Sequence, residues 1–347
     1  MSTSSGKVQT VLGPIDPADL GPTLMHEHLA TEFTPPAQRG EIPAEITLET
    51  IWELNYNWVD APGVRCLTDT EVAVREVERM IEAGGKSVVD VSTRGMGVDP
   101  TVLRKISERT GAQIVLGCGR YLEEFMGPED LERTVDDMAA EFIGHVNDGI
   151  DDTGVRAGII GEIGCSWPWT KAERRSMQAA VVAQQETGLA LTIHPGRHED
   201  APFEIVSFLR DAGADLSRTI MDHVERRLFD TDSILRLAET GIVLEFDMFG
   251  FETSRFAQGG DIDLSSDGVR LTRIRDLLDA GYRDRIVISH DICTRTRQME
   301  FGGHGCGHIF RNIVPMMRRR DFDEPDIQAV LIDNPANLLT GKKSKAD

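Results

Sequence analysis

Cysteine is scarce in this chain, and the few cysteines lie far apart. There are five among 347 residues, and no two of them form a CxxC pair. A disulfide framework is built from an even number of cysteines at regular spacing. The scarcity therefore argues against a disulfide-stapled secreted scaffold and favours a reducing compartment, and we expect a cytoplasmic protein.

Basic residues and long apolar runs are also lacking. Lysine and arginine number 37 against 58 acidic residues, a formal net charge of −21. A free protein this acidic repels phosphate backbones and anionic lipids, which argues against nucleic-acid and membrane partners. No apolar run approaches the roughly 18 residues that a membrane span needs. The first seven residues also lack the apolar segment of a signal peptide.

Apolar residues are plentiful, at 40%, and their arrangement predicts the fold. Short runs rich in branched residues alternate with longer stretches of helical period, as in repeated βα units with a parallel sheet. The predicted strands are Thr23–Met25, Ser87–Val91, Gln113–Leu116, Gly158–Ile160, Leu189–Ile193, Thr219–Met221, Ile242–Phe246 and Ile286–Ser289. Eight such units favour an α/β fold of the (β/α)₈ TIM barrel type, with a doubly wound sheet as the alternative.

The whole chain, 1–347, is predicted to form a single domain. Residues 8–25 form an N-terminal hairpin that leads into the first strand, and the proline-rich segment 31–63 is an insertion after that strand. Two helices are expected to begin with a capping box, at Thr68 with Glu71 and at Thr170 with Glu173.

Six residues with metal-ligand chemistry stand where the predicted strands end. His26 and His28 close the first strand, and side chains two apart on a strand point to one side. The others follow strands four, five, six and eight: Glu162, His194, His223 and Asp291. Barrel active sites are built at the carboxyl ends of the strands, so we expect the six side chains to converge there.

Four imidazoles and two carboxylates suit a pair of divalent ions, if one carboxylate bridges them. Two ions about 3.5–4 Å apart can hold a hydroxide that forms near neutral pH, and one ion polarises a carbonyl or phosphoryl oxygen. Asp291 is the expected base that takes the hydroxide proton and delivers it to the leaving group. The pattern predicts a hydrolase with Asp291 and Glu162 as catalytic residues and Zn²⁺ as the metal, with Mn²⁺, Co²⁺ or Fe²⁺ as alternatives.

Several segments of the chain resemble the phosphotriesterase family of the amidohydrolase superfamily. They are Gly21–Leu29, Gly161–Gly164, His194–Arg197, the strand before His223, Ser289–Asp291 and Gly302–Gly305. The resemblance covers nearly the whole chain and is closest to the phosphotriesterase-related branch associated with N-acetyltaurine hydrolysis. It implies one metal held by His26, His28 and Asp291, a second held by His194 and His223, and a bridging Glu162. It also implies a homodimer.

Glu162 departs from the bacterial phosphotriesterases and lactonases of this family, which have a lysine carboxylated by CO₂ at that place. The nearest lysine, Lys171, lies in the following helix and cannot substitute. We therefore expect the metal centre to assemble without CO₂. The expected substrate is a small ester, lactone or N-acyl amide of the N-acetyltaurine type, with only weak or promiscuous phosphotriesterase activity.

Three residues outside the ligand set are expected to bind substrate. Arg197 follows His194 by three positions, and its guanidinium could bind an anionic group with two hydrogen bonds. A salt bridge to a neighbouring loop acid would explain it equally well. Arg226 carries the same expectation less strongly. Tyr121, after the third strand, could donate to a substrate oxygen, although an aromatic at a barrel mouth is as often simple packing.

Two other functions stay open at this point. A mononuclear deaminase would share the histidines and the aspartate, but it would not need Glu162 and would want a separate glutamate base. A non-catalytic barrel could instead hold a small apolar ligand, because a fold alone does not prove catalysis. The intact ligand set argues against that second alternative.

Overall fold

The computed structural model describes residues 6–35, 44–56, 63–254, 256 and 262–341. Its centre is a sheet of eight parallel strands that pair in chain order. The strands are β3 (Thr23–Glu27), β4 (Ser87–Asp90), β5 (Gln113–Cys118), β6 (Ile159–Gly164), β7 (Leu191–His194), β8 (Thr219–Met221), β9 (Val243–Phe246) and β10 (Ile286–Ile288). The amide of Asp291 donates to the carbonyl of His26 over 3.1 Å, across the seam between the last strand and the first. The prediction of a (β/α)₈ barrel with these eight strands is confirmed, and the doubly wound alternative is wrong.

Helices surround the strands. They are α1 (Pro17–Leu20), α2 (Ile51–Tyr56), α3 (Thr70–Glu82), α4 (Pro100–Thr110), α5 (Pro128–Glu132), α6 (Val135–Asn147), α7 (Lys171–Thr187), α8 (Ala201–Ala212), α9 (Thr231–Ala238), α10 (Asp267–Asp279), α11 (Val314–Arg319), α12 (Glu324–Gln328) and α13 (Asn334–Leu339). Among the described residues, no helix has both the length and the apolar character that crossing a membrane requires.

The two predicted capping boxes had different outcomes. Thr170 accepts a hydrogen bond from the amide of Glu173, and Glu173 accepts one from the amide of Thr170, so α7 begins as predicted. The prediction of a capping box at Thr68 is wrong. Asp69 is the N-cap of α3, since its carboxylate already accepts from the two amides that follow Thr70, and Glu71 pairs with Arg109 instead.

Alternate strand residues face two apolar layers. Leu24, Val88 and Ile114 pack outward against the helices. A second layer fills the lower interior of the barrel with one apolar residue in or next to each strand: Met25, Val89, Val115, Ile159, Ala190, Ile220, Val243 and Val287. Leu338 and Leu339 of α13 join this inner layer, which closes the amino-terminal end of the barrel. The carboxyl end is left for the polar residues.

The N-terminal segment forms a short antiparallel pair below the barrel. β1 (Val8–Thr10) pairs with β2 (Gly13–Ile15), while Gly21–Met25 leads into and enters the barrel. The segment predicted as an insertion, 31–63, contains α2. Its residues 36–43 and 57–62 lie outside the described part of the chain.

Candidate metal centre

The six predicted ligands lie together at the carboxyl end of the barrel. His26 is in β3 and His28 follows it, Glu162 is in β6, His194 ends β7, and His223 and Asp291 come shortly after β8 and β10. None of the six is more than 5% exposed. The structure therefore brings together side chains that are up to 265 positions apart in the sequence, between His26 and Asp291.

Irregular pairing in two strands aims two of these ligands inward. β3 has one extra residue within Leu24–Glu27 relative to β4, and β6 has one extra residue within Ile160–Ile163 relative to β7. Such a bulge turns the side chains beyond it to the other face of the sheet. The bulge in β3 allows two neighbouring residues, Met25 and His26, both to face the interior. The bulge in β6 likewise allows Glu162 to face the interior.

One group of donor atoms consists of His26, His28 and Asp291. The Nε2 atom of His28 lies 3.4 Å from Oδ1 of Asp291, and Nε2 of His26 lies 3.8 Å from the same oxygen. Nε2 of His26 is also 3.8 Å from Oε1 of Glu162. Asp291 adopts a left-handed backbone conformation with φ of 51°, which is uncommon for a residue with a side chain.

The second group consists of His194 and His223. Nδ1 of His194 lies 2.7 Å from Oε1 of Glu162, and Nε2 of His223 lies 3.1 Å from the same oxygen. The two imidazole nitrogens are 2.9 Å apart. Glu162 thus lies between the two groups, which is the place a bridging carboxylate would occupy.

These residues fit divalent cations. Nε2 of both His26 and His28 and Oε2 of Glu162 are buried and have no hydrogen-bond partner among the described residues. Buried polar groups are normally paired, so three orphaned ligand-type atoms at one place fit a bound cation. Each is an atom type that transition metals bind.

Burial sets the protonation of the site. It lowers the pKa of His26 to about 3, and it lowers the pKa of His194 and His223 well below the ordinary value, with help from the charge of Arg226. These three imidazoles are therefore neutral, the form that binds metals. Burial and the charges of nearby aspartates raise the pKa of Glu162 well above its usual range. A cation beside Glu162 would favour its ionised form instead.

Other side chains orient the imidazoles, and the sequence did not point to them. The Oγ atom of Ser92 is 2.9 Å from Nδ1 of His28, and Oδ1 of Asp247 is 2.7 Å from Nδ1 of His223. Such partners hold the ring so that its other nitrogen faces the metal. The signal available in the sequence was position, because Asp247 directly follows β9 and Ser92 comes shortly after β4.

A small pocket opens on the donor atoms. Its walls combine the polar residues with an apolar side made by Phe33, Met248, Phe251, Phe256 and Cys293. Its volume is about 20 Å³, which is room for roughly one water molecule.

Two of the three residues predicted to bind substrate line this pocket, Tyr121 and Arg226. The hydroxyl of Tyr121 is 3.1 Å from Nδ1 of His194, and burial raises the Tyr121 pKa well above its usual value. Arg197 is exposed on the loop after β7 and is not among the residues that line the pocket. It is near enough that its charge contributes to the lowered pKa of Arg227.

Arg227 is a site residue that the sequence reasoning missed. Its side chain is buried, and Nη1 donates to the carbonyl of Arg226 over 3.0 Å. Nε and Nη2 of Arg227 and Nε of Arg226 have no partner in the described part of the chain. Burial and the charges of Arg226 and Arg197 lower the pKa of Arg227 well below its ordinary value. Adjacent buried guanidiniums with unpaired donors favour an anion beside them.

Comparison with known proteins agrees with this geometry. A sequence model described as the phosphotriesterase family matches residues 6–339. N-acetyltaurine hydrolase of Xenopus tropicalis is 40% identical over 99% of this chain and 100% of that protein. A crystal structure of a resiniferatoxin-binding protein from Rhodobacter sphaeroides superposes with a TM-score of 0.91 at 33% identity, covering 98% of both chains. A lactonase from Listeria monocytogenes, at 23% identity and a TM-score of 0.79 over 97% of this chain and 100% of that one, shares the fold. The chain belongs to the phosphotriesterase family.

Proposed function

We propose that this chain is a metal-dependent hydrolase of small N-acyl amides, lactones and esters, and that an N-acyl amino sulfonate of the N-acetyltaurine type is its preferred substrate. The observation that carries the proposal is the convergence of four imidazoles and two carboxylates, with orphaned donor atoms, at the end of the barrel where active sites form. The 40% identity to an N-acetyltaurine hydrolase supports the choice of substrate.

Two divalent ions, with Zn²⁺ as first candidate, would occupy the centre. His26, His28 and Asp291 would hold one and His194 and His223 the other, with Glu162 between them. When bound, such ions lower the pKa of water and polarise the substrate carbonyl.

Asp291 is proposed to move the proton of the reaction. As water attacks the acyl carbon, a carboxylate oxygen of Asp291 takes its proton and then transfers it to the departing amine nitrogen as the C–N bond breaks. Tyr121 keeps its proton because its pKa is raised, so its hydroxyl can donate a hydrogen bond to a substrate oxygen. The apolar wall keeps bulk water from the reacting atoms.

The arginines explain a preference for an anionic substrate. Arg226 lines the pocket and Arg227 lies behind it, and both keep unpaired N–H donors. A sulfonate or carboxylate at the far end of the substrate would accept those hydrogen bonds and neutralise buried charge. Arg197, on the neighbouring loop, is proposed to join them at the outer end of the anion.

The two other readings are not favoured. A mononuclear deaminase would have no use for Glu162, which contacts both histidines of the second group. One structural relative is named for binding resiniferatoxin, but the intact set of six donors and the relatives named N-acetyltaurine hydrolase argue against a non-catalytic barrel.

The test is turnover of N-acetyltaurine, a neutral lactone and an aryl ester by the metal-loaded protein. We expect Asp291→Asn to lower kcat by about 10²-fold or more, since general-base catalysis contributes at least that much. Asp284→Asn serves as the matched control, because the Asp284 side chain is 75% exposed and lies just before β10, at the amino-terminal end of the barrel and away from the ligands. Wild-type turnover by Asp291→Asn would refute the mechanism, and a metal content of one ion per chain would refute the pair.

A further inference from the structure

We propose that Glu27 and Arg297 are positioning residues for Asp291. Together they fix the backbone of the turn Ser289–Ile292, from opposite sides, in the conformation that presents the Asp291 carboxylate to the centre. The inference rests on the proposed function, because it assigns Asp291 a role in that reaction.

Glu27 holds the turn by accepting hydrogen bonds from the donor groups of the turn. Its Oε1 accepts from the hydroxyl of Ser289 at 2.8 Å, from the amide of His290 at 3.0 Å and from Nδ1 of His290 at 2.7 Å. Its Oε2 accepts from the amide of Ile292 at 3.1 Å. Glu27 is fully buried, so all four bonds are made away from water. Although it stands between His26 and His28 in sequence, its carboxylate is used entirely on the turn that carries Asp291.

Arg297 holds the same turn by donating hydrogen bonds to the carbonyl groups of the turn. Nη1 donates to the carbonyl of Asp291 over 2.6 Å, and Nη2 donates to the carbonyl of His290. The guanidinium also packs over the ring of Phe251 at 4.7 Å, inside the pocket wall. With Glu27 on the amides and Arg297 on the carbonyls, the peptide groups on both sides of Asp291 are tied.

The glycine-rich segment Gly302–Gly305 surrounds Arg297 and explains why it is there. The amide of Gly305 donates to the Arg297 carbonyl at 3.0 Å, and Nε of Arg297 donates to Nε2 of His304 at 3.4 Å. A Cβ atom at Gly303 would lie only 2.1 Å from the Arg297 backbone. Glycine is therefore needed at that position for the segment to close around Arg297.

The turn needs this support because Asp291 has a φ of 51°. A non-glycine residue in the left-handed region costs free energy and persists only where its surroundings hold it. If the turn relaxed, the carboxylate would leave its position 3.4 Å from Nε2 of His28. Neither Glu27 nor Arg297 needs to touch the substrate to affect the reaction.

The test compares Glu27→Gln with Glu173→Gln in the metal-loaded protein. Glu173 is 1% exposed, and its carboxylate likewise accepts four hydrogen bonds, from the amides of Glu123, Ser166 and Thr170 and the hydroxyl of Ser166, but none from the Asp291 turn. We expect Glu27→Gln to lower kcat on N-acetyltaurine about 10- to 100-fold at nearly constant KM, the usual effect of losing an outer hydrogen bond to a ligand. Glu173→Gln should lower Tm by a similar amount and leave kcat unchanged.

A second measurement is the visible spectrum of the protein loaded with Co²⁺ alone, which reports ligand geometry without turnover. Glu27→Gln and Arg297→Lys should alter the spectrum, and Glu173→Gln should not. Equal kcat losses in the two glutamate variants, or unchanged spectra in both Glu27→Gln and Arg297→Lys, would overturn the inference. If the wild type hydrolyses nothing, the proposed function fails, and the Co²⁺ spectra still decide whether these residues position Asp291. If Glu27→Gln does not fold, Arg297→Lys carries the comparison.

Discussion

Neutral imidazoles beside buried arginines define the chemistry of the site at the scale of single residues. Burial depresses the pKa of His26, His194 and His223, which keeps their nitrogens available to metals. The arginines that line the pocket are Arg226 and Arg297, and Arg227 is buried next to Arg226. The proposed function therefore separates two tasks, metal binding by uncharged rings and anion binding by guanidiniums.

Arg227→Met tests the anion-binding role. Methionine keeps the length of the side chain but removes the charge and the unpaired N–H donors. A hydrogen bond between charged groups contributes about 1.5–3 kcal/mol, so we expect KM for N-acetyltaurine to rise roughly 10- to 100-fold with a smaller change in kcat. Steady-state kinetics should show no such rise for a neutral lactone.

The exposed Arg311 is the control for that variant, because Arg311→Met removes the same charge from a residue that does not line the pocket. An equal loss on the neutral lactone and on N-acetyltaurine would mean that Arg227 supports the fold and not the anion.

The residues that could be identified from sequence share one property: each has a metal-ligand side chain and lies at the end of a recognisable strand. His26, His194 and Asp291 were found in that way. Arg227 was missed because a second arginine beside Arg226 looks like ordinary surface charge, and its burial depends on tertiary packing. Asp247 was missed because its role exists only through His223, 24 residues away.

At the scale of elements, the alternation of strands and helices was readable because it follows local apolar periodicity. The bulges in β3 and β6 were not, because a register shift is a property of two strands and leaves no mark in either one alone. The capping box at Thr68 failed for a similar reason. Asp69 is an equally good cap one residue later, and Arg109 on α4 draws Glu71 away.

Glu141 joins α6 to its neighbours and should make stability depend on pH. It pairs with Arg120 at 2.9 Å and also contacts Arg133. Burial alone would raise the pKa of Glu141, but the arginines hold it below its ordinary value. Its contribution is therefore present above the unfolded-state pKa, about 4.3, and is lost as pH falls through the lower folded-state value.

Glu141→Gln should accordingly lower the free energy of unfolding by about 2–3 kcal/mol at pH 7, with the difference from wild type shrinking below about pH 4. Urea denaturation at a series of pH values measures this. Glu71→Gln provides the comparison, since the Glu71–Arg109 pair is exposed and should contribute less. A difference that stays constant down to pH 3 would show that Glu141 acts through packing and not through its charge.

At the scale of the whole molecule, an acidic chain encloses a pocket that is lined in part by arginines. The net charge of −21 opposes long-range attraction of an anionic substrate, so recognition must come from the short-range hydrogen bonds of the buried arginines. The barrel makes this possible because its amino-terminal end is filled by apolar side chains and its carboxyl end collects polar ones. The closure of the barrel, and not any local sequence pattern, determines which six metal-ligand side chains come together.

Removal and return of metal test that arrangement in the intact chain. Without a cation, Glu162 and Asp291 remain buried near neutral imidazoles, so treatment with a chelator should lower Tm by several degrees, because ligands that bind the folded state stabilise it. Because the proposed bridge, Glu162, is a glutamate, Zn²⁺ added back to the chelated protein should restore Tm and activity equally in CO₂-free buffer and in buffer with bicarbonate. Glu162→Lys would reverse this, because a lysine there could bridge only after carboxylation. Recovery by the wild type that depends on bicarbonate would show that Glu162 is not the bridge, and a Tm unaffected by chelation would show that the six donors hold no metal.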